Sequence, residues 1–98
     1  MNESIRMVHN TGRQRYELFV GSDLASIAEY TDVGDALVFD HTETNSRFRG
    51  RGLAAKVVAF ALDDVREQGR SIVPACWFVA DFVDDHPEYS DLLAGRAA

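Results

Sequence analysis

Residues 41–56 read HTETNSRFRGRGLAAK. Three arginines (Arg47, Arg49, Arg51) and two glycines (Gly50, Gly52) separate an alternating run from an apolar one, in a chain of formal net charge −6. Glycines let successive backbone N–H groups converge on one anion, and the first turn of a helix adds unpaired donors and a partial positive charge. Strand, basic glycine loop, helix is therefore the construction of a phosphate cradle. Arginine adds planar, multi-donor contacts to phosphate oxygens that lysine does not reproduce. The plainer alternative is an exposed loop whose arginines pair with surface acids such as Asp63 or Glu67.

Downstream of the loop the period of the apolar residues is helical. Leu53, Val57, Phe60, Ala61 and Val65 share one face, Lys56, Asp63, Arg66 and Glu67 lie elsewhere, and Gly69 is a suitable stop. A helix is expected over about 50–68. Upstream, ALVFDHTET (36–44) alternates as a strand, which places Leu37, Phe39, His41 and Glu43 on one face and Val38, Asp40 and Thr42 on the other.

Earlier still, residues 3–9, 13–20 and 24–32 read as strands joined by NTG, GSD and, before the fourth, DVGD. In the second, Tyr16, Leu18 and Val20 form the face expected to be buried. After the helix, RSIVPA (70–75) is a fifth strand, parallel to the fourth through a right-handed crossover. CWFVADFVDDH reads as a second helix starting near Cys76, its aromatics a core stripe rather than a cofactor box. Pro87 breaks that helix, and HPEY (86–89) either caps it and packs Tyr89 onto the core or contacts a ligand.

The expected fold class is α/β (α+β). It is a single small domain over residues 1–98, mostly an antiparallel sheet of about five strands with two main helices. A composition of 46% hydrophobic and 27% charged residues suits a folded chain. MNESIRMVHN lacks the apolar core of a signal peptide, and no apolar run approaches the roughly 20 residues that span a bilayer. The expectation is a cytoplasmic protein with no membrane partner. Its one cysteine, Cys76, forms no internal disulfide. Sixteen acidic residues against ten basic ones oppose general nucleic-acid binding.

Together the motifs resemble the GCN5-related N-acetyltransferases. RFRGRG matches that family's arginine or glutamine, two residues, glycine, one residue, glycine or alanine signature through Arg47, Gly50 and Gly52. HTETNSRFRGRGLAAKVV, VPACWFV and HPEY are similar to the very short, YjdJ-type branch of the family, over about residues 15–93. The resemblance implies a sheet splayed between its fourth and fifth strands, with pantetheine in the opening. It implies acetyl-coenzyme A as co-substrate, its phosphates on Arg47, Arg49, Gly50, Arg51, Gly52 and Leu53, and Thr42 beside the pantetheine.

Three residues are candidates for the chemistry. His41 and Glu43, one pleat apart, suit deprotonation of an amine. Cys76, at the start of a helix, gains thiolate character there. Larger relatives place a tyrosine near this point, which this chain lacks, so Cys76 stands as nucleophile, as proton donor to the departing thiolate, or as lining of the channel. The bland alternatives are a hydrogen-bonded histidine at the core edge, a glutamate in solvent or paired with a nearby arginine, and a small buried cysteine. His9, His41, His86 and Cys76 show no paired ligand spacing, so no metal is expected. The expected activity is acetyl transfer to an unidentified amine, the alternative a coenzyme A-binding module with little catalysis. Monomer or weak homodimer is the expected state.

Overall fold

The alternating segments become one five-stranded sheet in a computed structural model that describes residues 4–95. The strands are β1 (Ile5–Asn10), β2 (Arg15–Val20), β3 (Asp23–Asp32), β4 (Ala36–Thr44) and β5 (Ser71–Pro74), hydrogen-bonded in that order. The first three pairings are antiparallel and β4–β5 is parallel. The crossover is α1 (Leu53–Glu67); α2 (Trp77–Asp85) and a 3-10 turn (Pro87–Leu92) follow β5. The small α/β fold expected from the sequence is the fold observed. Among the described residues no helix is long and apolar enough to cross a membrane.

Between β1 and β2 the NTG signal becomes a 3-10 turn. The Asn10 side chain accepts from the Arg13 N–H at 3.2 Å, and Gln14 takes the left-handed conformation that closes the turn. Tyr16, Leu18 and Val20 are buried as expected. Glu17, expected on the open face, is also buried, held by Arg15 Nε at 2.7 Å and Asn10 Nδ2 at 3.1 Å. Those charge-assisted bonds are what make its burial tolerable.

The core forms where α1 lies across the sheet. Val57, Val58, Ala61, Leu62 and Val65 pack with Tyr16, Leu18, Leu37 and Phe39, while Phe60 is only partly buried and meets the Tyr16 ring edge-on. The helix starts at Leu53 rather than residue 50, because Gly50 and Gly52 hold left-handed backbones that no helix contains. Its other end closes on Gly69 in a Schellman arrangement: the Gly69 N–H donates to Arg66 O and the Arg70 N–H to Val65 O.

A polar cluster pins the first strands to α1. Asp64 Oδ2 accepts from Tyr16 Oη at 2.8 Å and from Gln68 Nε2 at 2.7 Å, and His9 Nδ1 stands 3.1 Å from it. His9 stacks on Tyr16, and its Nε2 lies 2.7 Å from Tyr30 Oη. A carboxylate only accepts, so Nδ1 of His9 carries a proton.

Candidate functional site

Two features of β4 build the site: a bulge and a parting. Glu29 of β3 pairs with His41, yet Tyr30 pairs with Phe39, so Asp40 has no partner residue and the alternation of β4 slips by one. The expected faces are therefore corrected. Thr42 and Thr44 continue the α1-covered face of Leu37 and Phe39, opposite Ala28 and Ser26. His41 and Glu43 turn to the other face, their side chains 51% and 67% exposed, with His41 Nε2 3.1 Å from Glu43 Oε1.

The parting lies beyond Phe39. β5 pairs with β4 only from Ala36↔Ser71 to Phe39↔Pro74, after which the Cys76 N–H donates to Phe39 O at 2.9 Å and the chain turns into α2. The last part of β4 thus has no strand on that side. Cys76 is the N-cap of α2, half-buried, with Sγ 3.7 Å from Thr42 Oγ1. Burial by itself pushes this thiol up. The Thr42 hydroxyl and the backbone N–H groups of Phe78 and Val79 outweigh it and hold the thiol below its ordinary value.

The basic loop follows β4 directly. Asn45 accepts from the Arg47 N–H at 3.0 Å and starts a 3-10 turn, Ser46–Phe48, which seats Phe48 in the core. Above that ring lie the guanidiniums of Arg47 and Arg51, 5.2 and 5.5 Å from its centre, and Arg47 also stands 3.6 Å from Asp23. Gly50 (φ 80°) and Gly52 (φ 73°) are left-handed, and nothing lies within 4 Å of a Cβ at either position. Conformation, not crowding, requires glycine there, and the space beside both backbones is open.

Gly52 caps α1 without a side-chain hydrogen bond, and the Lys56 N–H makes the bond to Gly52 O. The N–H groups of Leu53, Ala54 and Ala55 precede that bond and are the orphan donors of this end. Leu53 itself is largely buried. A cavity of about 330 Å³ opens beside these groups, walled by Phe48, Leu53, Ala54, Ala55 and Phe78 together with Thr44, Arg49 and the two glycines. A second, of about 480 Å³, shares Thr44 and Arg49 with it and extends over Ser26, Glu43 and Asn45.

Of the residues singled out in the sequence, the structure brings together Thr42 and Cys76, and gathers Arg49, Gly50, Gly52 and Leu53 around one cavity. It does not bring His41 and Glu43 to the face of Thr42. Phe78, Thr44 and Asn45 were missed; Phe78 was hidden within a stripe expected to be core. Trp77, in the same stripe, is 74% exposed and not core, whereas Val79, Phe82 and Val83 are buried. His86 closes α2, its Nδ1–H donating to Phe82 O at 2.8 Å, and Tyr89 Oη donates to Asp63 at 2.8 Å. Among the described residues no group of three or more His, Cys, Asp or Glu is arranged to hold a metal ion.

A model of the family described as GCN5-related N-acetyl-transferase matches residues 15–92. The chain belongs to the GCN5-related N-acetyltransferase family. Protein NATD1 of Xenopus tropicalis is 31% identical over 88 residues, covering 88% of this chain and 81% of its own. Protein NATD1 of Bos taurus is 32% identical over 85 residues, 85% and 75% of the two chains. The solution structure of a GCN5-like protein from Staphylococcus aureus superposes with a TM-score of 0.70 at 19% identity, over 94% of this chain and 90% of that one. The ribosomal-protein-S18-alanine N-acetyltransferase of Escherichia coli gives 0.56 at 15% identity, over 59% and 38%. These two likenesses concern the fold.

Proposed function

We propose that the protein transfers an acetyl group from acetyl-coenzyme A to an amine. The observation that carries this reading is the cavity joined to the uncapped start of α1. Two left-handed glycines expose backbone N–H groups, Arg49 adds a cation, and the apolar wall of Phe48, Leu53 and Phe78 suits a pantetheine chain. In this reading the N–H groups of residues 50–55 and the loop arginines hold the phosphates. Thr44 and Thr42 line the way along β4, and the thioester reaches the parting of β4 and β5 beside Cys76.

The Thr42–Cys76 pair would carry the proton or acyl chemistry there. As a thiol, Cys76 donates its proton to the departing coenzyme A sulfur while the amine nitrogen attacks the carbonyl carbon. As a thiolate, it attacks that carbon itself, forming a new carbon–sulfur bond as coenzyme A leaves, and the amine then takes the acetyl group. The mass of the protein after incubation with acetyl-coenzyme A separates the two: only the second route adds an acetyl group to Cys76. Oriented binding of thioester and amine supplies much of the acceleration in either case.

One observation favours the second reading, a binding module with little turnover: His41 and Glu43 are exposed on the face away from the thiol, so neither is a base poised beside it. Release of free coenzyme A in the presence of primary amines tests the activity. Amine-dependent release supports the transferase, and tight binding without release supports the module.

A further inference from the structure

The outer face of α2 carries a combination that core packing does not explain. Trp77, Asp81, Asp84 and Asp85 fall at i, i+4, i+7 and i+8, so they share one face, and all four are exposed. Val79, Phe82 and Val83 occupy the opposite, buried face. Trp77 is the most exposed of the large apolar side chains in the described residues, at 74%, and its ring meets the Phe78 ring edge-on with centroids 6.0 Å apart. Among the described residues no basic side chain pairs with Asp81, Asp84 or Asp85.

Both features run against what the helix alone favours. An indole in water forgoes the burial that its large surface rewards. Carboxylates in the last turn oppose the negative end of the helix dipole, and that turn has no basic residue to offset them. Local rules broken without local compensation are expected where a surface meets a partner.

We infer that this face of α2 docks a lysine-rich segment of another protein. The inference rests on the acetyltransferase reading, because Trp77 directly follows Cys76 and a segment laid along α2 brings one of its amines to the parting of β4 and β5. An aromatic face attracts an ammonium group, and three carboxylates placed beyond it along the same face attract further ones. The surface is an outward helix face, which cannot enclose a small amine in the way a concave pocket does. A polypeptide spreads its contacts along such a face and is the occupant this shape suits.

Trp77 is the chain's one tryptophan, so its fluorescence reports on this face. The reduced protein is titrated, without acetyl-coenzyme A, with a short blocked peptide of alternating lysine and glycine, with a serine–glycine peptide, and with spermidine. The lysine peptide should give a saturable change in emission that weakens with salt, and the serine peptide none. The triple variant Asp81→Asn, Asp84→Asn, Asp85→Asn should bind the lysine peptide roughly tenfold more weakly, the combined loss of about three exposed ion pairs. It should melt no lower than the parent, since the substitutions relieve the helix end.

An unchanged emission with the lysine peptide, equal binding by the triple variant, or spermidine binding as tightly as the peptide overturns the inference. Calorimetry of the parent with acetyl-coenzyme A keeps the two levels apart. Cofactor binding by the parent with no peptide binding by the parent defeats the docking face alone. Loss of acetyl-coenzyme A binding in the parent defeats the reading on which it rests.

Discussion

Thr42 Oγ1 lies 3.7 Å from Cys76 Sγ, across the point where β4 and β5 part. The contact exists because the bulge at Asp40 turns Thr42 inward and because α2 starts at Cys76. Thr42 and the backbone N–H groups of Phe78 and Val79 together hold the thiol below its ordinary value against the opposing effect of burial. The rate of alkylation by iodoacetamide against pH should therefore show a lower midpoint in the folded protein than in the urea-unfolded chain. Thr42→Val should move the folded midpoint up; an unmoved midpoint would mean that the hydroxyl does not act on the thiol. A depressed thiol stabilises the fold above its unfolded value, and that contribution is lost as pH falls through the folded one.

Gly52→Ala should cost about 1–2 kcal/mol of stability, the strain of a left-handed backbone with a Cβ. No neighbouring atom adds to it, since nothing lies within 4 Å of that position. Gly12→Ala, at a glycine without positive φ, should instead be neutral or stabilising by up to about 1 kcal/mol. Urea denaturation of the two variants checks the contrast.

The secure parts of the sequence reading were those governed by local chemistry. The apolar period over 53–67 and Gly69 beyond it specified α1, and Gly50 and Gly52 marked a turn that only glycine makes cheaply. Turn signals separated the strands within a few residues. What escaped the reading was set by partners distant in sequence. The bulge at Asp40 depends on how Glu29 and Tyr30 pair across the ladder, so simple alternation put His41 and Glu43 on the wrong face. Glu17 is buried because Asn10 and Arg15 happen to reach it. Trp77 looked like core because hydrophobicity was read without the direction in which α2 presents its first turn.

Tyr16→Phe should destabilise the protein by about 1 kcal/mol, a net hydrogen bond to a carboxylate that keeps the Gln68 donor and the His9 contact. Because Asp64 can only accept, neutral His9 must carry its proton on Nδ1, leaving Nε2 to accept from Tyr30. Nitrogen-15 NMR of His9 at alkaline pH should report that tautomer. The Nε2–H form would contradict the assignment.

Tyr89 is pushed up to about 12, by burial first and then by its hydrogen bond to Asp63. The raised value contributes stability that is fully present below the ordinary phenol value and is lost as pH rises through about 12. Ultraviolet titration of phenolate absorbance should show this tyrosine ionising above the free amino acid. Asp63→Asn should lower its midpoint, and no shift in that variant would count against the contact.

Gly50, Gly52 and Arg49 beside the start of α1 are read as the seat of a coenzyme's phosphates, and calorimetric titration of the reduced protein with acetyl-coenzyme A tests that claim most directly. Adenosine diphosphate serves as the comparison ligand, and Arg49→Ala as the variant. The predicted result is one acetyl-coenzyme A per chain, bound clearly more tightly than the diphosphate and more weakly by the variant. No heat, or equal affinity for the two ligands, would contradict the account.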